Sequence, residues 1–319
     1  MDRIRWGILG LGAIAGEFAD ALTRAGCTLE ACASRSHEKA ESFKSSFGAK
    51  HAFGSYEELI HCADVDAVYI ATPHNLHHKW ALECLKNNKH VLCEKAICVN
   101  CAQLNELCAE AQKRNLIFRE AMTVYHMPVM EKLKSMTGAD APLGKLKTLD
   151  ISFGSFKEYS PDNRFFNPEL AGGALLDIGV YALSLARFFL SSQPDTVLTA
   201  GVNAPTGVDE QSGIVLTNSE GELAVITLAL RAKLPKRAVI SCENGYACID
   251  NYPRADSAEI VWTHDGSKTT LNCGNTSDAL AYEAKTFESL VLENEDNNHL
   301  ALTKDVMELM DKIRIQWNI

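Results

Sequence analysis

The chain has no excess of basic residues: 31 Lys and Arg stand against 41 Asp and Glu, a formal net charge of −10. Neither a nucleic-acid partner nor adhesion to an anionic membrane is expected from such a balance. No run approaches 18 consecutive apolar residues, so no membrane span is expected. There is no internal repeat and no low-complexity segment. Cys98-x-x-Cys101, with Cys108 beyond it, lacks the second Cys pair that would complete a zinc site. Asn100 and Gln103 read instead as a helix cap pair, which puts Cys101 and Cys108 two turns apart on one helix. No metal is expected.

What is present is ordinary globular material: 319 residues, 46% apolar and 23% charged. These values exclude a disordered or collagenous chain. The length suggests about two domains, each able to bury its own core. Eleven cysteines, an odd number at irregular spacing, argue for reduced thiols and a cytoplasmic location. Arg3 and Arg5 before the apolar stretch Trp6 to Gly16 imitate a secretory leader. A buried strand running into a glycine turn is preferred, because these glycines are placed for a nucleotide.

Strand and helix alternate through residue 121. Strands are expected at 3–9, 28–34, 65–71, 90–93 and 116–120, and helices at 14–25, 36–47, 74–86 and 100–114. Ser55-Tyr-Glu-Glu58 is a capping box opening a further short helix. The strands are apolar on both faces, as a helix-covered parallel sheet requires. The rhythm changes after that. A longer alternating strand spans 145–157, and a helix spans 173–190. Strand-like runs then fill 196–272, with turn signals at 218–221 and 243–245. Two amphipathic helices broken near 294–298 close the chain. The expected class is α/β: a Rossmann domain, residues 1–121, and an α+β domain with an open, mostly antiparallel sheet, residues 122–319, whose last helices pack back near the first domain.

Gly10-Leu-Gly12-Ala13-Ile14-Ala15 follows the first strand and opens the first helix. In the GxGxxA form of the dinucleotide fingerprint, the first Gly makes a tight turn and the second admits the pyrophosphate. The third position must be small for helix packing. The helix start then offers N–H groups to the phosphates. An NAD site usually carries an acid at the end of the second strand. Here that strand ends Ala33-Ser34-Arg35, with Lys39 a turn later, and Glu30 lies too early. Ser34 and Arg35 suit a 2′-phosphate, so NADP(H) is expected over NAD(H), with NAD(H) still open.

These residues, with Ala71-Thr72-Pro73-His74-Asn75-Leu76-His77, Glu94-Lys95, Glu120-Ala121 and Gly172-Gly173-Ala-Leu-Leu-Asp177-Ile-Gly179-Val-Tyr181, carry a resemblance over essentially the whole chain. The sequence resembles the glucose–fructose oxidoreductase / inositol dehydrogenase / rhizopine catabolism (Gfo/Idh/MocA) family. Its Asp-Ile-Gly-Val-Tyr form is most similar to the dimeric dihydrodiol dehydrogenases and NADP-dependent D-xylose dehydrogenases. The resemblance implies that Thr72, Pro73, Asn75 and His77 line the nicotinamide side, with Glu94, Lys95 and Ala121 also at the cofactor. It further implies a homodimer or homotetramer through the second sheet. Two positions depart from the family pattern. Ala96 stands where many members have a proline after the motif lysine, and Tyr181 where many have a histidine.

Lys95 ends a strand at the carboxyl edge of the sheet, where open α/β folds bind ligands. Asp177 and Tyr181, four apart on one expected helix, share a face that is otherwise apolar, so the aspartate needs a partner or water. A substrate hydroxyl and Lys95 are natural partners for it. Tyr181 would act as acid in reduction and base in oxidation. A free phenol titrates near 10, and a neighbouring lysine cation lowers that value. The expected reaction is hydride transfer between nicotinamide C4 and a secondary carbinol or carbonyl carbon of a sugar, cyclitol or vicinal diol. Lys95 and Tyr181 would hold the oxygen, and Asp177 would orient the substrate. Arg164 and His126 are further candidate substrate contacts, and Arg164 reads equally well as a surface charge. Two other readings are a nucleotide-sensing regulator without turnover and a glycosidase with tightly held NAD. A sensor needs none of Lys95, Asp177 and Tyr181, and Arg35 argues against the glycosidase.

Overall fold

In the computed structural model, residues 3–293 and 297–317 are described. The chain divides into two compact units, residues 1–121 with 277–300 and residues 122–276 with 301–319.

The first unit holds a six-stranded sheet of β1 (Arg5–Leu9), β2 (Thr28–Ala33), β3 (His51–Phe53), β4 (Ala67–Ile70), β5 (His90–Glu94) and β6 (Phe118–Ala121). Its order is β3-β2-β1-β4-β5-β6, and every pair is parallel. Trp6, Ile8 and Leu9 of β1 and all of β4 are buried, as strands covered on both faces must be. Helices α1 (Ala13–Ala25), α2 (His37–Phe47), α3 (Tyr56–His61), α4 (His77–Lys86) and α5 (Cys101–Arg114) connect the strands. The two expected caps form: Ser55 and Glu58 make a reciprocal box, and Asn100 accepts from the Gln103 N–H. Ser36, not singled out from sequence, also caps α2 by accepting from the Lys39 N–H. Two details differ from the sequence reading. β3 is an edge strand of three residues, too short to show a period. The helix expected from His74 begins as a 3₁₀ turn, His74–Leu76, and α4 proper starts at His77. Strand order reverses between β1 and β4, which places the switch point beside the Gly10–Ala15 turn.

In the second unit, α6 (Pro128–Ser135) and α7 (Val180–Phe189) accompany an eight-stranded sheet. Its strands are β7 (Leu146–Gly154), β8 (Thr196–Asn203), β9 (Asp209–Thr217), β10 (Leu223–Ala229), β11 (Arg237–Cys242), β12 (Gly245–Asp250), β13 (Ser257–Trp262) and β14 (Lys268–Asn272). The order is β14-β13-β12-β11-β7-β10-β9-β8. Only β7 and β10 pair parallel; the other ladders are antiparallel. Hairpins close at 218–221 and 243–245, where the turn residues stand.

The helix expected over 173–190 is not uniform. Ala171 and Gly173 have φ of 56° and 116°, a π-turn occupies Leu175–Gly179, and α7 follows. The stretch Pro168–Phe189 is apolar and long enough to cross a membrane by length and composition, although Glu169, Asp177 and Arg187 interrupt any continuous apolar run in it. Most of it is buried inside the protein, and its bent start and buried Asp177 suit a core helix.

The tail forms α8 (Ala279–Glu293) and α9 (His299–Trp317). The sequence reading placed 277–300 in the second domain; the segment groups with the first unit. Leu280, Ala281, Ala284 and Phe287 of α8 join the core around Trp6, Phe18 and Leu22. Trp6 and Phe287 rings lie 5.1 Å apart, and the Trp6 indole N–H donates to Glu288 at 2.9 Å. Burying one such phenyl group is worth roughly 2–3 kcal/mol, and that burial, not chain order, decides where α8 belongs.

Candidate active site

The turn after β1 is built for a phosphate. Gly10 has φ +89°, and a Cβ on it would stand 2.9 Å from the Ala71 carbonyl oxygen. Gly12 is the N-cap of α1, and no side chain caps that helix start. A Cβ on Gly12 would project into open space, with no atom within 4 Å. Gly12 and Ala13 are exposed, Ile14 is half-buried, and Ala15 is wholly buried against the sheet. The first N–H groups of α1 are thus left for a ligand. The buried Thr72 Oγ1 also lacks a hydrogen-bond partner. These features fit a dinucleotide.

At the end of β2, Ser34 is buried while Arg35 and Lys39 are exposed. The Ser36 N–H donates to Ser34 Oγ at 3.3 Å, and Ser36 Oγ caps α2. Glu30, the acid nearest that end, is buried, with its carboxylate 2.8 Å from Lys50 Nζ and 3.9 Å from His51 Nε2. It is therefore committed elsewhere. Glu30, His51 and Asp64 are the one three-member group of potential metal ligands among the described residues. Lys50 and Arg5 already neutralise its two acids. Cys98, Cys101 and Cys108 do not converge into such a group.

Lys95 is half-buried just past β5. Its placement comes from the backbone around it. The Lys95 N–H donates to Glu94 Oε2 at 3.2 Å, and Tyr69 donates its hydroxyl to the other oxygen of Glu94. The Lys95–Ala96 peptide is cis. The Ala96 carbonyl lies 2.8 Å from His77 Nδ1, and the Ile97 N–H donates to Glu120 Oε1 at 3.0 Å. Three buried side chains thus hold the segment that a proline would stiffen in other members. His77 is wholly buried, with Nε2 also 2.8 Å from the Thr72 carbonyl, so both its ring nitrogens bond to the backbone. Burial holds its pKa below the ordinary value against the pull of the two carbonyls, and the Lys95 cation adds to the lowering. Thr72 is buried, Pro73 and Asn75 are exposed, and Ala121 is buried at the end of β6.

In the second unit, Asp177 lies in the π-turn, 9% exposed, and Tyr181 is half-buried one residue into α7. Lys95 and a substrate hydroxyl are the partners expected for Asp177 from sequence. In the structure Arg164 Nη2 is 3.6 Å from Asp177 Oδ1, and the Arg164 guanidinium lies 4.2 Å from the Phe165 ring centroid. The Tyr181 ring sits 6.0 Å from that of Phe153, and Tyr252 lies behind Phe153 at 6.1 Å. Tyr252 is fully buried, and burial pushes its phenol well above its ordinary pKa. Of the two phenols, Tyr181 is the less buried. His126 is half-buried at the end of the 3₁₀ turn Thr123–Tyr125.

Sequence reasoning did not find His77, Glu120 and Tyr69 as supports of Lys95, nor Arg164 as a neighbour of Asp177. Glu120 carried a signal, since it opens the Glu-Ala dipeptide at the end of β6. Tyr69, in a run of buried apolar residues, carried none.

Residues 4–122 match the family described as an oxidoreductase family with an NAD-binding Rossmann fold, and residues 132–248 match the GFO/IDH/MocA C-terminal domain. Trans-1,2-dihydrobenzene-1,2-diol dehydrogenase of Xenopus tropicalis is 36% identical over 99% of this chain and 98% of its own. The NADP(+) scyllo-inositol 2-dehydrogenase IolU of Bacillus subtilis is 30% identical over the same shares. Among solved structures, the 3-ketoreductase KijD10 of Actinomadura kijaniata, in complex with NADP and TDP-benzene, superposes with a TM-score of 0.87. It is 25% identical, and 98% of each chain is covered. Structures of KijD10 with one lysine or one tyrosine replaced are also known.

Proposed function

The chain belongs to the Gfo/Idh/MocA oxidoreductase family, and from that premise we propose that it is an NADP(H)-dependent dehydrogenase or reductase of a secondary carbinol or carbonyl on a small diol, cyclitol or sugar. Membership makes it an NAD(P)-dependent oxidoreductase with a nucleotide-binding Rossmann fold. The relatives acting on a diol and an inositol support the substrate class.

The observation that carries the cofactor choice is the end of β2. Glu30 is locked to Lys50, leaving Ser34, Arg35 and the start of α2 to meet the ribose. Gly10, Gly12, Ala13 and Ile14 would hold the pyrophosphate. When bound, the nicotinamide ring supplies or accepts the hydride. Tyr181 gives the proton to the reacting oxygen in reduction and takes it in oxidation. Lys95, held by Glu94, Glu120 and His77, provides the positive charge that favours the ionised oxygen. Asp177 accepts from a substrate hydroxyl, with Arg164 fixing its carboxylate.

The test is titration of the protein with NADPH and NADH, followed by quenching of tryptophan fluorescence, for the parent and Arg35→Ala. The expected result is tighter binding of NADPH by the parent. Arg35→Ala should weaken NADPH by about 10–100-fold, the loss of one to two charge-assisted contacts, with NADH nearly unchanged. Equal losses for both cofactors would overturn the 2′-phosphate assignment.

We place the protein in the cytoplasm, a reducing compartment that suits its eleven free thiols, and assign it a homodimer formed by its second sheet. On one face of that sheet, Leu198, Val215 and Val225 are cross-strand neighbours on β8, β9 and β10. Leu198 and Val202 are 62% and 54% exposed, apolar surface of a kind that marks an interface. Leu198→Lys should shift sedimentation from dimer to monomer. A monomeric parent would refute the assignment.

A further inference from the structure

The start of the helix that carries Tyr181 rests on a second acid, one the chemistry above does not use. Asp209 opens β9 and is 4% exposed. Its Oδ2 accepts the Leu175 N–H at 2.6 Å, and the Ala174 N–H also bonds to its carboxylate. Its Oδ1 lies 2.2 Å from where a Cβ on Gly173 would stand. Gly173 is therefore glycine for two reasons, its φ of +116° and the carboxylate pressed against it. The Gly173 carbonyl in turn accepts the Asp177 N–H at 3.2 Å. No side chain of the turn itself caps this start, so Asp209 serves the N–H groups that a helix start leaves over.

We propose that Asp209 is a positioning residue for proton transfer: its carboxylate fixes the register in which the π-turn and α7 present Asp177 and Tyr181. The proposal rests on the role given above to Tyr181.

A neutral amide or hydroxyl could cap a helix without burying a charge. Burial pushes the Asp209 pKa up to about 6, against the N–H donors and the Arg314 cation of α9. Arg314 is itself paired with Asp311, and Glu210, next to Asp209 on β9, is paired with Arg231. A raised folded pKa means that the folded state binds this proton more tightly than the unfolded chain. The group therefore removes stability as pH rises from about 4 to about 6.

The experiment compares the parent with Asp209→Ala and Asp209→Asn. Asp209→Ala should lower kcat by ~10–100-fold, the effect of a shift of about 1 Å at the reacting group, with NADPH affinity within about twofold. Asp209→Asn, which keeps one acceptor oxygen, should recover part of the loss. In the parent, kcat should fall below about pH 6, and in Asp209→Asn that limb should vanish. A readout free of turnover is the ionisation of Tyr181, taken as the phenolate absorbance difference between each protein and its Tyr181→Phe counterpart; its midpoint should move in Asp209→Ala. If that variant does not fold, Asp209→Asn carries the same two readouts. Unchanged kcat and an unchanged Tyr181 midpoint in a folded variant would overturn the proposal. A parent that never turns over, with a midpoint that still moves, would sink the enzymatic role of Tyr181 and leave the placement by Asp209 standing.

Discussion

Tyr181→Phe is expected to lower kcat by about three powers of ten, the middle of the range for loss of a positioned general acid or base, while NADPH affinity stays near normal. The substitution removes one oxygen and one proton. The ring and its contact with Phe153 remain, so α7 should keep its place. The dinucleotide elements, the β1–α1 turn and the end of β2, contain no part of this side chain. Steady-state turnover and a cofactor titration on the same preparation separate the two effects. Survival of turnover within about tenfold would remove Tyr181 from proton transfer and leave Lys95 as the acid–base.

The second large effect belongs to Lys95. Methionine keeps the length and apolar stem of the side chain and deletes its charge. Glu94, His77 and Glu120 grip the Lys95 N–H, the Ala96 carbonyl and the Ile97 N–H. These contacts are all made to main-chain atoms, so Lys95→Met should leave this backbone intact. Any loss is then chemical, and about 100–1,000-fold in kcat is expected for removal of one electrostatic donor. The pH profile carries a sign. A cation favours the ionised phenol, so its removal raises the phenol's pKa. In the oxidation direction, which needs phenolate, the rise of kcat with pH should move to higher pH. A large loss with an unmoved profile would mean that Lys95 acts on the substrate oxygen without tuning Tyr181. In the double variant the losses should not add if the two groups serve one step. Full additivity would assign them to separate steps.

Much of this protein is legible in its sequence because local rules suffice there. Short, wholly apolar runs and period-3.6 patterns, with Ser55 and Asn100 as caps, mark the alternating first unit. Gly10 and Gly12 mark the phosphate turn, because only glycine tolerates the positive φ at one and the close approach of a ligand at the other. The Asn-Gly signal at 244–245 marks a hairpin, where Gly245 lets the Val261 carbonyl approach to a point 2.7 Å from where a Cβ would stand. These features depend on residues a few places apart, and chain sterics read them directly.

What only the tertiary structure decided involves partners far apart in the chain. Glu30 pairs with Lys50, twenty residues on. Lys95 is steadied by His77 and Glu120, and the helix of Tyr181 by Asp209. α8 joins the first unit through Trp6 rather than the unit beside it in sequence. Each is a matter of which buried polar group finds a donor and which apolar face finds a cover. A buried carboxylate or indole must be satisfied by whatever the fold brings near. The sequence by itself determined the order of the elements and pointed to the groups proposed to react. The packing decided how those groups are aimed, because distance along the chain places no limit on which side chains meet in a core.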